Sequence, residues 1–271
     1  MRKSTGILIA TIAFLFTLQA IAQTPARQGN PSAIPRMPGG KPNLNGLWQA
    51  MTTAYWDLEN HSAQAGAVLE LGAIGAIPAG TGVVEGGAIP YKPEALAKKK
   101  ENFANRLKLD PEVKCYLPGV PRATYMPYPL QIVQSQNDVL IAYTYDSAAR
   151  TVLVAKHREA ELDTWMGTSN GKWEGDTFVV DVTGFNGRAW LDRAGNFATD
   201  SLHVVERYSM LDANTLNYEA TIEDPAVFTR PWKISFPLYR HREKGARLFE
   251  LKCVEFVEDL VYRDVDKKPT H

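Results

Sequence analysis

Between Gly171 and Pro225 three runs follow one another, 177–182, 202–208 and 215–222, each rich in β-branched and aromatic residues and each alternating in part between apolar and polar positions. That period of two is the signature of a strand, and the segments between the runs supply turn residues: Glu174-Gly-Asp176, Gly195-Asn196 and Asp212-Ala-Asn214. Similar runs predict further strands over 130–133, 139–145, 150–155, 172–173, 232–239 and 247–257, about nine in all. Sequential strands joined by short turns usually pair with their neighbours, and a long sheet removes its exposed edges most simply by closing on itself. The expected fold is therefore mainly β, an antiparallel meander barrel or strongly curled sheet running from Leu130 onward.

The N-terminus predicts where this sheet ends up. Met1-Arg-Lys3, the apolar run 7–18 and the small-residue site Ala20-Ile-Ala22 make a secretory signal peptide with cleavage after Ala22, hence export to the periplasm or beyond. The run is too short for a membrane span and no cysteine stands at the cut to carry lipid, so no membrane anchor is expected. The chain's 30 basic and 30 acidic residues balance, and without Arg2 and Lys3 the acids are in slight excess, which argues against nucleic acid as a partner.

From 23 to 42, five prolines remove backbone donors and predict an extended linker. Residues 43–271 then read as one β-rich domain, with an irregular and helical cover over 43–129 and the β meander over 130–262. Within the cover, 54–64 suggests a short helix. The stretch 65–90, too apolar for a solvated linker and too rich in glycine for a helix, suggests an ordered covering loop. The clearest helix spans 92–107, with Pro93 in its first turn and Leu96, Phe103 and Leu107 along one side. Cys115 and Cys253, an even count in an exported chain, predict a disulfide between the cover and the last strand, with two buried thiols as the open alternative.

In the strand 202–208, alternation puts Leu202, Val204, Glu206 and Tyr208 on the apolar face and His203, Val205 and Arg207 on the other. Glu206 is thus an inward carboxylate that needs an arginine, a tyrosine or water as partner. The connection 184–200 is long for a hairpin and carries Arg188, Asp192, Arg193 and Asp200 just before His203. Together these supply a general base (His203), a carboxylate to orient it (Asp192 or Asp200) and a guanidinium for an anionic group (Arg193 or Arg188). A loop pinned by its own Asp–Arg pairs accounts for the same residues. Trp48, Tyr125, Tyr128, Trp165 and Trp190 beside loops, with Glu206 and Tyr208 inside, are the candidate lining of a small-molecule site. No nucleophile elbow, dinucleotide fingerprint, P-loop or metal-ligand spacing occurs, so neither a cofactor nor a metal is expected.

Two functions remain in view: a binding protein for a hydrophobic or aromatic small molecule, held in the barrel or under the 65–90 loop, and a cofactor-independent lyase, isomerase or hydrolase built on His203, Asp192 and Arg193. Strict alternation counts against a pocket shared by His203 and Glu206.

Gly46-x-Trp48 resembles the opening signature of lipocalins, which implies a tryptophan closing a barrel floor. The segments from Gly40 to Trp48, Trp173 to Asn186, Trp190 to Asp192, Leu202 to Arg207 and Tyr218 to Pro225 together resemble a family of secreted bacterial proteins. That resemblance implies export and a single domain; no activity and no functional residue come with it.

Overall fold

The structure is a computed structural model that describes residues 34–66 and 69–257. The leader at 1–22, the linker as far as 33 and the end of the expected meander after 257 lie outside the described residues. Nine strands close into a barrel: β1 (Gly46–Ala50), β2 (Leu130–Gln134), β3 (Asp138–Tyr143), β4 (Ala149–Leu153), β5 (Thr168–Glu174), β6 (Thr177–Thr183), β7 (His203–Met210), β8 (Thr215–Glu223) and β9 (Trp232–Arg240). Each pairs with the next and β9 with β1, antiparallel throughout except for β4 and β5, which run parallel. Short turns join β2 to β3, β5 to β6 and β7 to β8 at one end. The long connections 51–129, 184–202 and 224–231 all emerge at the other, which we call the mouth.

The expected barrel is present, and its membership differs in two places. The segment 247–257 is not a strand; it makes one isolated bridge, Leu251 to Tyr145. Its place beside β9 is taken by β1, through Trp48↔Arg240 and Ala50↔Leu238, so no edge is left for it. The chain also does not meander from β4 to β5 but crosses over through 154–167, as a parallel connection requires.

The floor follows the Gly-x-Trp triplet. Trp48 is fully buried, donates from Nε1 to the Leu44 carbonyl at 2.9 Å, and lies under the Arg240 guanidinium, 4.1 Å from its ring centre. Arg240 in turn bonds the Asn45 and Ala213 carbonyls, tying the chain entering β1 to the β7–β8 turn. A Cβ on Gly46 would stand 2.1 Å from Arg240 Nη1, so only glycine admits this guanidinium. Part of the expected linker is pinned here too: Arg36 grips Asp176 in the β5–β6 turn with two bonds of 2.6 and 2.9 Å.

Over the mouth lies the 51–129 cover. Its main helix, α1 (Pro93–Ala104), stops at Asn105, short of the expected end, and a single turn, α2 (Arg106–Leu109), continues at an offset. No helix forms over 54–64. There Leu58 is fully buried and its N–H is taken by the Asp192 carboxylate, while Asp57 caps the Glu59 N–H, and such side-chain bonds compete with helical ones. Of the expected covering loop over 65–90, residues 67–68 lie outside the described residues. Its Val83–Glu85 part bonds Lys233 and Ser235 in the half of β9 that β1 leaves uncovered, which blunts that edge.

Candidate functional site

The barrel interior was one of the two expected ligand spaces, beside the space under the 65–90 loop, and the structure fills it with side chains. Phe178, Tyr208, Tyr218 and Phe236 stack edge to face or tilted at centroid separations of 5.0 to 6.4 Å, and all are buried. Glu206 points inward as alternation predicts, and its partner is Arg150 on β4. Nη1 and Nη2 of Arg150 hold both Glu206 oxygens at 2.6 and 2.8 Å. Tyr208 and Tyr218 donate to Glu206 Oε1 at 2.9 and 2.8 Å. The remaining guanidinium N–H groups go to Tyr143, Ser169 and Tyr208. Burial alone would lower the Arg150 pKa, but the Glu206 carboxylate, then Tyr143 and Tyr208, hold it well above the ordinary arginine value. Burial first and the same carboxylate second push the Tyr208 and Tyr218 phenols well up. Every group is satisfied, so this is a cross-barrel brace linking β4 to β7 and β8.

The residues of the 184–202 loop are divided among different neighbours. Asp192 is fully buried and accepts from the backbone N–H groups of Leu58, Ala194 and Asn196 and from the Asn196 amide. Burial, reinforced by the Asp57 carboxylate, pushes its pKa up to about 7 against the pull of those donors. Around it Tyr91 donates to Asn196 and Tyr125 to the Leu191 carbonyl, while α1 packs on Gly195. A Cβ on Gly195 (φ 83°) would stand 2.7 Å from the Phe103 nitrogen, so this close approach also demands glycine. The loop is pinned by Asp192 through its own Ala194 and Asn196 and one N–H of the cover, that of Leu58, and not through an Asp–Arg pair with Arg188, which is exposed.

His203 is elsewhere: half-exposed on the outer face of β7, it stands 3.1 Å from Asp181 and 3.8 Å from Glu223. Asp200 is exposed as well. The expected grouping of His203, Asp192 and Arg193 is corrected on this point, because alternation along β7 turns His203 outward while Asp192 turns under the cover.

Arg193 leads to the site itself. Its guanidinium lies over Trp56 at 4.8 Å and Tyr55 at 5.7 Å, and its Nε is 3.9 Å from Glu112 Oε2. Glu112 sits on the 3-10 turn Pro111–Lys114, which Asp110 caps at the Glu112 N–H. Its carboxylate accepts a short bond from the Tyr55 hydroxyl and a 2.7 Å bond from Arg122. Arg122, on the short helix α3 (Arg122–Tyr125), is itself held bidentate by Asp110 at 2.8 and 2.9 Å. Burial and then Glu112 push the Tyr55 phenol well above its ordinary value.

This floor opens into a cleft of about 280 Å³. Leu107 and Val113 form one apolar wall, and Val254, Phe256 and Val257 the other. The second wall is the strap 251–257, which the Cys115–Cys253 disulfide ties to the end of the Glu112 turn with a Cα–Cα distance of 5.5 Å. The expected disulfide is thus present, though it tethers a strap and not a strand. Tyr145 donates to the Glu112 carbonyl at 3.1 Å and touches Cys253, and Tyr128 packs on Phe249 at the rim.

Of the residues read from the sequence as candidates, Arg193 and Tyr128 line this cleft. Trp48 belongs to the floor of the barrel, Glu206 and Tyr208 to the brace, and Tyr125 and Trp190 to the packing under the loop. Trp165 stacks on Tyr116 at 4.8 Å on the flank. Tyr55, Glu112, Tyr145 and Arg150 went unread. Arg150 shares a strand face with Val152, which signals an inward arginine, and Glu112 lies three residues from a disulfide cysteine. Among the described residues no three His, Cys, Asp or Glu side chains group to hold a metal ion, and no helix is long and apolar enough to cross a membrane. Comparison with family models, curated proteins and solved structures finds no match for the chain.

Proposed function

We propose that this chain is an exported binding protein for an aromatic or otherwise apolar small molecule, taken into the mouth cleft rather than into the barrel. The observation that carries the reading is the cleft's construction: apolar walls from two separate segments meet over a few fixed polar groups, Tyr55, Glu112 and Arg193, the usual make-up of a small-molecule site. Tyr55 and the Arg193 guanidinium that lies over it line the cleft and offer contacts to an aromatic ring, and Tyr128 stands at the rim. Export is supported by the leader pattern at 1–22 and by the disulfide. The enzyme reading has lost its base, since His203 shares no partner with Asp192 or Arg193 among the described contacts.

The test is thermal unfolding of the oxidised protein with a panel of planar aromatic compounds. A ligand at about a hundred times its Kd stabilises by about 2.7 kcal/mol, a clear rise in Tm. Val254→Trp, at a half-exposed position, fills the cleft and abolishes the rise with the ligand-free Tm unchanged. The reading fails if no compound shifts the wild type, or if the shift survives V254W.

A further inference from the structure

The seam of the barrel holds a second feature, outside the mouth. Parallel neighbours need a crossover of a dozen or more residues, and here the returning chain pairs with β4 only through Val152↔Ser169 and Leu153↔Asn170. The rest of this junction is open, and a cleft of about 430 Å³ lies in it, inside the range of roughly 300–1,000 Å³ common for small-molecule sites.

We infer that this seam cleft is a binding site for a neutral polyhydroxylated ring, a monosaccharide or cyclitol. Its floor is Arg150 and Ser169, 6% and 3% exposed. Ser169 Oγ accepts from Arg150 at 3.2 Å and donates to no group among the described residues, and Ser169 lines the cleft, so its O–H is free to meet a ligand there. Thr151, Thr164 and Thr168 line the same space, and their hydroxyls make no hydrogen bond among the described residues. Four hydroxyls, each able to donate and accept, match a ligand that is itself a ring of hydroxyls.

Charge excludes the alternatives. An anionic group would meet Glu159 and Glu161 at the rim and, behind Arg150, the Glu206 carboxylate that already neutralises it. A cationic group would meet Arg158 above and find both Glu206 oxygens already held by Arg150 below. For a neutral diol the rim side chains Arg158, Glu159 and Glu161 are hydrogen-bonding partners of both kinds. Leu153, Met166 and Leu162 supply the apolar surface against which a ring lays its C–H face, and Leu162 is 78% exposed with nothing covering it.

The experiment is ligand-observed NMR and isothermal titration of the oxidised full chain with neutral monosaccharides and myo-inositol. At least one binds, and Thr168→Val and Leu162→Ala each weaken it about fivefold, the loss of one contact of about 1 kcal/mol, with the unfolding midpoint unchanged. Arg150 is left intact because it braces the barrel. The inference is overturned if no panel member binds at tens of millimolar, if both variants bind as wild type does, or if the matching uronate or amino sugar binds more tightly than its neutral parent. Binding that V254W leaves untouched separates this site from the mouth cleft.

Discussion

Arg150 inside the barrel and Arg122 at its mouth are both more than nine-tenths buried, both grip a carboxylate with two N–H bonds, and both have tyrosines near them. Their surroundings differ. All the N–H groups of Arg150 reach Glu206, Tyr143, Ser169 or Tyr208, so the guanidinium is fully used even where the seam cleft opens beside it. Arg122 is held by irregular chain; its Nε bonds nothing among the described residues, and its second acid, Glu112, also faces Tyr55, Arg193 and an open cleft. A saturated ion pair in a closed sheet has no capacity left for a ligand, whereas an ion pair built on a turn and a strap has polar surface to share. The residue types are the same, and the enclosing backbone decides which pair is a brace and which is a site.

The comparison breaks most visibly at the brace. Arg150→Met leaves Glu206 buried without a counter-charge and should cost about 3–5 kcal/mol in urea unfolding, and Arg150→Met with Glu206→Leu should recover much of that. Arg122→Met likewise strands the buried Asp110 and should cost a similar amount, but because its second acid, Glu112, borders the cleft it should also remove the ligand-induced rise in Tm, which Arg150→Met with Glu206→Leu should keep. Equal losses for the single and double brace variants, or an Arg122→Met protein that keeps the ligand-induced rise, would contradict the contrast.

A smaller effect is expected at the strap. The disulfide spans a sequence separation of 138, and replacing both cysteines by serine should cost about 2–4 kcal/mol. The β signal in circular dichroism should persist, because all nine strands lie outside the strap, while aromatic ligands lose their second wall and their thermal shift. A collapsed β signal would mean that the strap holds the barrel and not only the cleft.

The last effect, read as a slope and not as a single loss, is the pH dependence at Asp192. Its carboxyl titrates at about 7 in the folded chain against an ordinary 3.8, so between those values the folded state holds a proton that the unfolded state has lost. Stability from this group is therefore present below about pH 4 and falls as pH rises towards 7. Asp192→Asn cannot titrate, so the lead of wild type over D192N should narrow across that window in urea unfolding. A lead that widens would show that the four N–H donors outweigh burial.

Glu206 was legible because period-2 alternation along β7 assigns faces without reference to any other strand, and the same rule turned His203 outward. The Gly46-x-Trp48 floor was legible as a motif, but the reason for its glycine, the Arg240 side chain, comes from the far end of the chain. The expected strand over 247–257 failed because its local pattern is adequate and its place in the sheet was occupied by β1; competition for an edge leaves no mark on a single segment. The helix over 54–64 failed likewise, to a carboxylate 134 positions away.

By itself the sequence determined the local periodicities: which segments extend, which face of each strand turns inward, where the turns fall and which cysteines are there to pair. These depend on backbone geometry and burial over a few residues, and a few residues carry that information. The tertiary structure alone decided that Arg150 meets Glu206, that Arg193 stacks on Tyr55 and Trp56, that Asp192 and His203 part company, and that the chain's last described segment walls a cleft. Those contacts join residues far apart in the chain, and their energies exist only once barrel closure has set which surfaces face each other.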